Sequence, residues 1–405
     1  MKKITWTIAA FALYLSSHGG FAQTASNDTS TYKTRKLKVD EVNLVSVYYQ
    51  QNGNLSPVTG GIGSEKLTDI ETSIDLKLIK RDKKDRRHTL LIDAGISYYT
   101  SASSDKIDPS TVSSASSKDV RYFPSVSYTV DNENKGIAVG ANVAYSKEFD
   151  YASYGYGLNF TKTSKDKNSD LSVKLNAFND VYTIIRPIEF RDPSTAPPGI
   201  RQDFNYSTQP RNSYDVALVF SHVINKRLQM ALLGDIAYQS GFLSTPFHRV
   251  YFSDDTEGLE ELPSTHLKIP VGVRFNAFLG DRFLIRSYYR YYQDDWSLKS
   301  HTANVEVPIK ITPFVSISPF YRFYVQSAVD YFAPYKQNNA LSTYHTTDDD
   351  LSAFTSNFLG AGIRFSPAKG IFGIKRWNML ELRYGFYKRS DGLVSHVVSM
   401  NLKFR

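Results

Sequence analysis

The 405-residue chain contains no cysteine. That excludes a disulfide framework, thiolate metal sites and a lipid anchor attached through an N-terminal cysteine. Long apolar runs are also scarce: hydrophobic residues make up 41%, mean hydropathy is −0.35, and nothing beyond the first 25 residues is apolar enough for a membrane helix. Blocks of like charge are missing too. Lys and Arg number 48 against 40 Asp and Glu, a formal +8, but the two signs intermingle along the chain, which argues against a nucleic-acid partner. What is abundant is aromatic: 28 Tyr and 25 Phe bring aromatics to 14%. Such a chain has much amphipathic surface and little plain core.

The N-terminus has the layout of an export signal. Lys2 and Lys3 precede the apolar stretch ITWTIAAFALYL, and small residues follow up to Gly20-Phe21-Ala22. A charged region, an apolar region and a small-x-small cleavage pattern in that order assign residues 1–22 to a signal peptide. Residues 23–40 are then expected as a short exposed segment, with residues 41–405 forming the body of the protein.

The stretch DIETSIDLKL, residues 69–78, sets the fold class. Asp69, Glu71, Ser73, Asp75 and Lys77 alternate with Ile70, Thr72, Ile74, Leu76 and Leu78. At the roughly 100° per residue of a helix, Leu76 would project within about 20° of Asp69. As a strand, every charge falls on one side and the hydrocarbons fall on the other. The same period recurs in HTLLIDAGISYYT (88–100), GIAVGANVAYS (136–146), HTANVEVPIKI (301–311) and VSISPFYRFYVQ (315–326). Each apolar face suits a tilted strand of roughly 9–11 residues crossing a bilayer.

About sixteen such segments can be counted, beginning near residues 41, 66, 89, 120, 137, 153, 171, 213, 228, 267, 283, 301, 314, 352, 378 and 394. Their connectors sort by length. KRDKKDRR, DNENKG, SKDKNSD, INKR, LGDR, TP and the longer SPAKGIFGIKR fall at one end; every long loop, 101–119, 181–211, 241–266 and 327–351, falls at the other. Sorting of this kind is the habit of outer-membrane barrels, with short periplasmic turns and long external loops. The expected fold is therefore all-β: a transmembrane, antiparallel, up-and-down β-barrel of about sixteen strands without a separate plug domain. Outer-membrane lipid is the first expected partner. Barrel-assembly machinery is the second, because Val398, Met400, Leu402 and Phe404 alternate up to the penultimate residue, although Arg405 follows where such signals usually end on the aromatic.

In this fold the hydrocarbon face of residues 69–78 meets lipid and the carboxylates line the interior. The strand LIRSYYRYYQDDW (284–296) places Phe283, Ile285, Tyr289 and Tyr291 outward and Arg286, Tyr288, Arg290, Tyr292 and Asp294 inward. Arg274, Glu306, Lys310, Arg322, Arg364, Glu381 and Arg383 join them, forming a basic sector, while Asp69, Glu71 and Asp75 supply acid elsewhere. Two roles fit these candidate pore-lining residues. One is a constriction with a transverse field that passes a small solute, as in general porins; the other is a salt-bridge and tyrosine network that stiffens the wall. Enzymatic parts are sparse and no cofactor motif occurs. His301 and His396, near the outer strand ends, are the histidines placed for a hydrolase site with Asp294, Asp295 and Ser395. The acidic segments DDTEGLEE (254–261) and TTDDD (346–350) offer carboxylates for a divalent cation without the spacing of an EF-hand, and read first as solvated loops.

At SYYRYYQDDWSLKSHT (287–302), PFYRFYVQSAVDYFAPY (319–335) and LSTPFHRVYF (243–252) the chain resembles the uncharacterised outer-membrane barrels of Gram-negative bacteria grouped as a domain of unknown function. The resemblance implies a fold and a location. It also implies glycine where this chain has Ser297. Genes of that family often neighbour those of a thioredoxin-like protein and a flavin transferase, which hints at a docking role beside maturation of exported redox proteins and assigns no residue.

Export yields the first test. The mature N-terminus is expected at Gln23 or within a few residues of it, by intact-mass measurement on protein from isolated outer membranes. A retained Met1 would overturn the signal assignment.

Overall fold

A computed structural model describes residues 36–100, 118–187, 190 and 207–404. Within them the chain is a closed antiparallel barrel of 16 strands. The wall runs through β1 (Lys38–Asn52), β2 (Leu67–Arg81), β3 (Arg87–Thr100), β4 and β5 (Lys118–Tyr122 and Ser125–Asn132, sharing one wall position), β6 (Ile137–Lys147), β7 (Tyr151–Thr163), β8 (Ser169–Thr183), β9 (Thr208–Asn225) and β10 (Leu228–Gly241). A small hairpin outside the wall follows, β11 (Arg249–Tyr251) and β12 (Glu257–Leu259). The wall resumes with β13 (Thr265–Leu279), β14 (Phe283–Asp294), β15 and β16 (Lys299–Glu306 and Ile309–Lys310, again one position), β17 (Val315–Gln326), β18 (Phe354–Phe365), β19 (Trp377–Arg389) and β20 (Val394–Phe404).

Each wall strand pairs with the next, and β20 returns to β1, from Phe404 opposite Val42 to Val394 opposite Asn52. Closure leaves no edge with unpaired amides, which a hydrocarbon surrounding requires. At the seam, near the short-turn end, Val42 and Phe404 pack with Leu44, Ile74, Leu76, Trp377 and Leu402.

Two wall positions are broken at proline, which has no N–H to give to a ladder. Pro124 separates β4 from β5, and the Phe123 amide is redirected to Gly95 O at 3.1 Å. Pro308 separates β15 from β16, with the Val307 amide bonded to Pro319 O at 2.9 Å. Other boundaries differ little from the periodicity: β9 begins at Thr208 instead of near 213, and β18 at Phe354 instead of 352. The signal segment and most of the segment from 23 to 40 lie outside the described residues, but residues 38–40 already belong to β1. Loop 101–117 and most of the connection between β8 and β9 also lie outside them.

The tight turn between β14 and β15 explains the position of Ser297. Its φ is 70°, in the left-handed region that favours glycine. The serine is held there because the Asp294 carboxylate accepts the amides of Trp296 and Leu298 at 3.0 and 2.9 Å, while Ser297 Oγ donates to Asp330 at 2.6 Å.

The two faces divide as alternation requires. Ile70, Val143, Leu158, Ile236, Val305 and Ile363 stand 43–58% exposed on the outer surface. On the inner face Ser97 donates to Asp69 at 2.6 Å across the β2–β3 pair. Moving a basic side chain onto the outer face costs about 2–4 kcal/mol at mid-membrane. Ile74→Arg is therefore expected to impair assembly, whereas Asp75→Asn, on the inner face opposite Asp93, leaves it nearly intact. The mobility difference between unheated and boiled samples on a gel reads barrel formation, and equal damage from both changes would contradict the assigned faces.

Candidate functional site

The interior wall is divided by charge. Arg274 of β13, Arg286 and Arg290 of β14, Lys310 of β16, Arg322 of β17, Arg364 of β18 and Arg383 of β19 form one continuous sector on the inner face, and Glu306 and Glu381 lie among them. Asp69, Glu71 and Asp75 of β2 face inward on one flank with Asp93 of β3, and Asp215 of β9 and Asp235 of β10 lie on the other. Between these flanks, opposite the arginines, the wall carries small and amide residues together with Lys174 of β8, which faces inward opposite Asn159. Gly140 and Asn142 of β6, Gly157 and Asn159 of β7 and Asn176 of β8 alternate there, and Asn176 donates to Asp215 at 2.9 Å. Glycine at 157 leaves room for the side-chain amides of Asn142 and Asn176, whose oxygens would have to turn aside for a Cβ there.

The basic sector contains both arrangements envisaged for it. Arg383 Nη1 reaches Glu306 at 3.1 Å and Glu381 at 3.0 Å, Arg364 holds Glu381 at 2.8 Å, and Arg286 lies 3.8 Å from Glu306. To reach Glu306, Arg383 crosses the inner faces of β18 and β17. Gly362 makes the crossing feasible, because a Cβ there would lie 2.9 Å from the arginine's Cγ. Phe320 lies beneath the guanidinium, 5.1 Å from ring centre to Cζ. By contrast, among the described residues no carboxylate lies within ion-pair distance of Arg290, Arg322 or Lys310. Arg322 packs 5.8 Å from the Phe358 ring and lines two neighbouring lumen cavities, of about 180 and 360 Å³.

His301 and His396 do not join an interior hydrolase site. His301 and His396 share the parity of the outward residues Val305 and Val398, and their Nδ1 atoms pair with the outward phenols of Tyr289 and Tyr384 at 2.7 and 2.8 Å. Ser395 is 2% exposed on the inner face, and Asp294 faces inward, where it accepts from His266 and Tyr292. The two histidines lie on the opposite side of the wall from Asp294 and Ser395, so the lesser reading that grouped His301 and His396 with Asp294, Asp295 and Ser395 is not formed. Imidazole–phenol pairs of this kind suit an interfacial girdle.

The lumen is capped at the long-loop end. Loop 53–66 rises between β1 and β2, and loop 242–264 rises between β10 and β13, half-way round the wall. Yet Arg249 Nη1 donates to Val58 O at 2.6 Å, and the Tyr251 ring packs against Gly60. These loops therefore meet across the mouth. Loop 327–353 closes over both: Thr347 Oγ1 donates to Arg249 O at 2.8 Å, His345 and Glu261 exchange backbone bonds at 2.8 and 3.1 Å, and Ser253 N bonds Asn338 O at 2.9 Å. Ser56, Val250 and Thr346 are completely buried between them. An apolar cluster of Leu262, Trp296, Leu298 and Val329, with Leu243, Tyr331 and Leu351, fixes the cap to the rim. The cap is tied to the inner wall where Arg389 pairs with Asp350 and where Gln326 Nε2 donates to the Asp350 and Ser352 carbonyls at 2.9 and 2.6 Å.

This cap brings together residues that no local pattern connects. Glu260, 4% exposed, accepts from Thr245 N at 2.7 Å and from Thr346 Oγ1 at 2.6 Å. His248 Nδ1 lies 3.4 Å from Glu260 and 3.8 Å from Asp348. Burial works against a charged His248, but the two carboxylates outweigh it and raise its pKa. The two acidic segments seen in the sequence thus contribute one residue each to a buried contact, and the reading of both as solvated loops is corrected for Glu260 and Asp348. Charge also separates end from end. The described long-loop connectors hold fourteen carboxylates and four Lys or Arg, the short turns twelve Lys or Arg and five carboxylates, so the axis runs from an acidic cap to a basic base.

A closed antiparallel wall, two-faced strands and loops sorted to opposite ends define an outer-membrane-type β-barrel. The chain belongs to the family described as protein of unknown function (DUF3570), whose model matches residues 7–391. No curated protein sequence matches it significantly. Among solved structures it is similar to a mutant ferric enterobactin receptor of Pseudomonas aeruginosa, at 11% identity and a TM-score of 0.44, covering 86% of this chain and 53% of the receptor. The chain thus spans about half the receptor's length. A bacterial polysaccharide outer membrane secretin matches at 10% identity and TM-score 0.44, covering 90% of this chain and 98% of the other. OccK1 (OpdK) of Pseudomonas aeruginosa matches at 7% and 0.41, covering 90% and 97%.

Glu65 gives the cap a pH dependence. Burial raises its carboxyl to about 8, the charges of Asp350, Asp348 and Asp349 add to the rise, and Arg389 opposes it. A carboxyl that holds its proton more firmly in the closed cap than in free loops makes closure most favourable below its ordinary pKa of 4.5, and that contribution is lost as pH rises toward about 8. Hydrogen exchange in loops 53–66 and 327–353 should accelerate between pH 5.5 and 8.5 beyond its intrinsic rate, and Glu65→Gln should flatten the trend. A slope unchanged by Glu65→Gln would assign it elsewhere.

Proposed function

We propose that the protein sits in the outer membrane as a gated channel or passive transporter for small anionic solutes, with the loop cap as the gate. The observation that carries this reading is the pair of unpaired guanidiniums, Arg290 and Arg322, on the inner wall, with Arg322 beside cavities under the cap. A sixteen-stranded barrel is wide enough to enclose water, and a guanidinium without a protein anion in such a lumen offers its charge and its planar donors to a passing one. The Asn and Gly positions of the wall opposite do not oppose this field, and the inward Lys174 among them adds to the positive charge of the lumen. Arg286, Arg364 and Arg383 have a different part, since Glu306 and Glu381 already hold them; they keep the wall in shape.

A second reading is a closed docking barrel that presents its external loops and basic turns to a partner such as an exported redox protein. The closed mouth favours it. A hydrolase embedded in the barrel is disfavoured by the outward orientation of His301 and His396.

Planar-bilayer recording separates the two. The wild-type barrel should conduct in bursts with a preference for anions. Arg290→Glu with Arg322→Glu should reduce or reverse that preference, while Arg364→Gln should lower thermal stability only slightly and leave selectivity nearly unchanged. Because one end is acidic and the other basic, the anion current should rectify, flowing more easily from the short-turn side. Absence of conductance in the wild type and in an Arg249→Ala variant with a loosened cap would favour the docking barrel.

A further inference from the structure

We propose that the cap holds a divalent first-row transition cation between His248, Glu260 and Asp348, pinning loop 242–264 to loop 327–353. The donor atoms, one imidazole nitrogen and two carboxylate oxygens, all lie within 4.8 Å of one another. His248 Nδ1 is 3.4 Å from Glu260 Oε2 and 3.8 Å from Asp348 Oδ2. Bonds of about 2.1 Å to a tetrahedral ion place adjacent donors about 3.4 Å apart. The triad is therefore near the size that one ion spans, and rather open for a direct imidazole–carboxylate hydrogen bond.

Electrostatics points the same way. The Glu260 side chain is 2% exposed and that of Asp348 23%, yet among the described residues the only cationic side chain within ion-pair distance of either is His248. Neighbouring arginines are directed elsewhere: Arg249 donates to Val58 O, and Arg389 pairs with Asp350 and Asp391. One imidazolium offsets only one of the two enclosed carboxylates, which leaves the other uncompensated at a cost. A divalent ion removes that cost and uses neutral imidazole, the form that ligates.

The surrounding bonds already orient the donors. Glu260 is fixed by Thr245 N and Thr346 Oγ1, and Asp348 Oδ1 accepts Asp350 N at 3.0 Å, leaving Oδ2 turned toward His248. Oriented ligands with bonded outer partners are how metal sites are built. The mixed N and O set without sulfur suits Zn²⁺, Mn²⁺ or Fe²⁺. Ca²⁺ and Mg²⁺ prefer an all-oxygen shell and gain little from the imidazole.

As a lock on the gate the site rests on the gated-lumen reading; as a binding site it stands without it. Full-length barrel stripped with chelator is to be titrated with Zn²⁺, Mn²⁺, Co²⁺ and Ca²⁺ by calorimetry, with protease protection of the cap and bilayer conductance recorded in parallel. The expected result is one transition ion per barrel, with greater cap protection and lower conductance. Co²⁺ should develop visible absorption of a low-coordinate nitrogen and oxygen site, a readout that needs no variant. His248→Gln and Glu260→Gln should weaken binding by more than about tenfold, whereas Asp254→Asn, in the same acidic segment, should not; heat-dependent gel mobility verifies that each variant folds. Absence of stoichiometric binding would overturn the site. So would Ca²⁺ binding as tightly as Zn²⁺, or an equal loss from Asp254→Asn, because either describes loose attraction to surface carboxylates. Binding that leaves conductance and cap protection unchanged would overturn the lock.

Discussion

Everything in this molecule depends on pairing the backbone. In hydrocarbon no water is present to accept an orphaned amide, so a sheet that crosses a membrane has to close on itself. The pairing of β20 with β1 satisfies that requirement. Closure then forces the rest: every strand has one outer face and one face toward the lumen, and in a hydrocarbon surrounding charge is admissible only on the second. The concentration of arginine, carboxylate and amide inside the barrel is a consequence of hydrogen bonding at its seam.

Much of this was legible because period-two alternation is a local property. DIETSIDLKL sorts its own side chains without reference to the rest of the chain, and the interior face of LIRSYYRYYQDDW can be read residue by residue. The parity that places Arg290 inward also places His301 outward with Ala303 and Val305, so alternation alone separates that histidine from an interior hydrolase site. Asp93 was likewise readable as an interior carboxylate beside Asp75. The cap was not legible. Its contacts join loops from opposite sides of the wall, and neither period nor propensity records that Arg249 meets Val58 or that His248 meets Asp348. The segments 243–252, 287–302 and 319–335, which carry the resemblance to the family, all contribute to that cap or its rim.

The basic sector illustrates how one set of residues divides its labour. Glycine at 362 lets Arg383 lie flat and reach across two strands, and the resulting network of Arg383, Arg364, Arg286, Glu306 and Glu381 uses charge as structure. Individual pairs of this exposure contribute little to stability, about 0–1 kcal/mol. Their geometric effect is larger, because they hold the wall's inner surface in one arrangement and leave Arg290 and Arg322 in fixed positions without neutralising them.

The crossing of the mouth by loops 53–66 and 242–264 has a mechanical consequence. A ring of sixteen hydrogen-bonded strands resists stretching along its circumference but bends easily from circle to ellipse, since flattening changes no ladder bond greatly. A contact between diametrically opposed points acts as a tie rod and removes that soft mode at the rim. Cross-section and closure are then one variable: releasing the Arg249 contact frees the outer rim to become oval, while the short-turn end, where among the described residues no contact crosses the lumen, keeps the same compliance in both states.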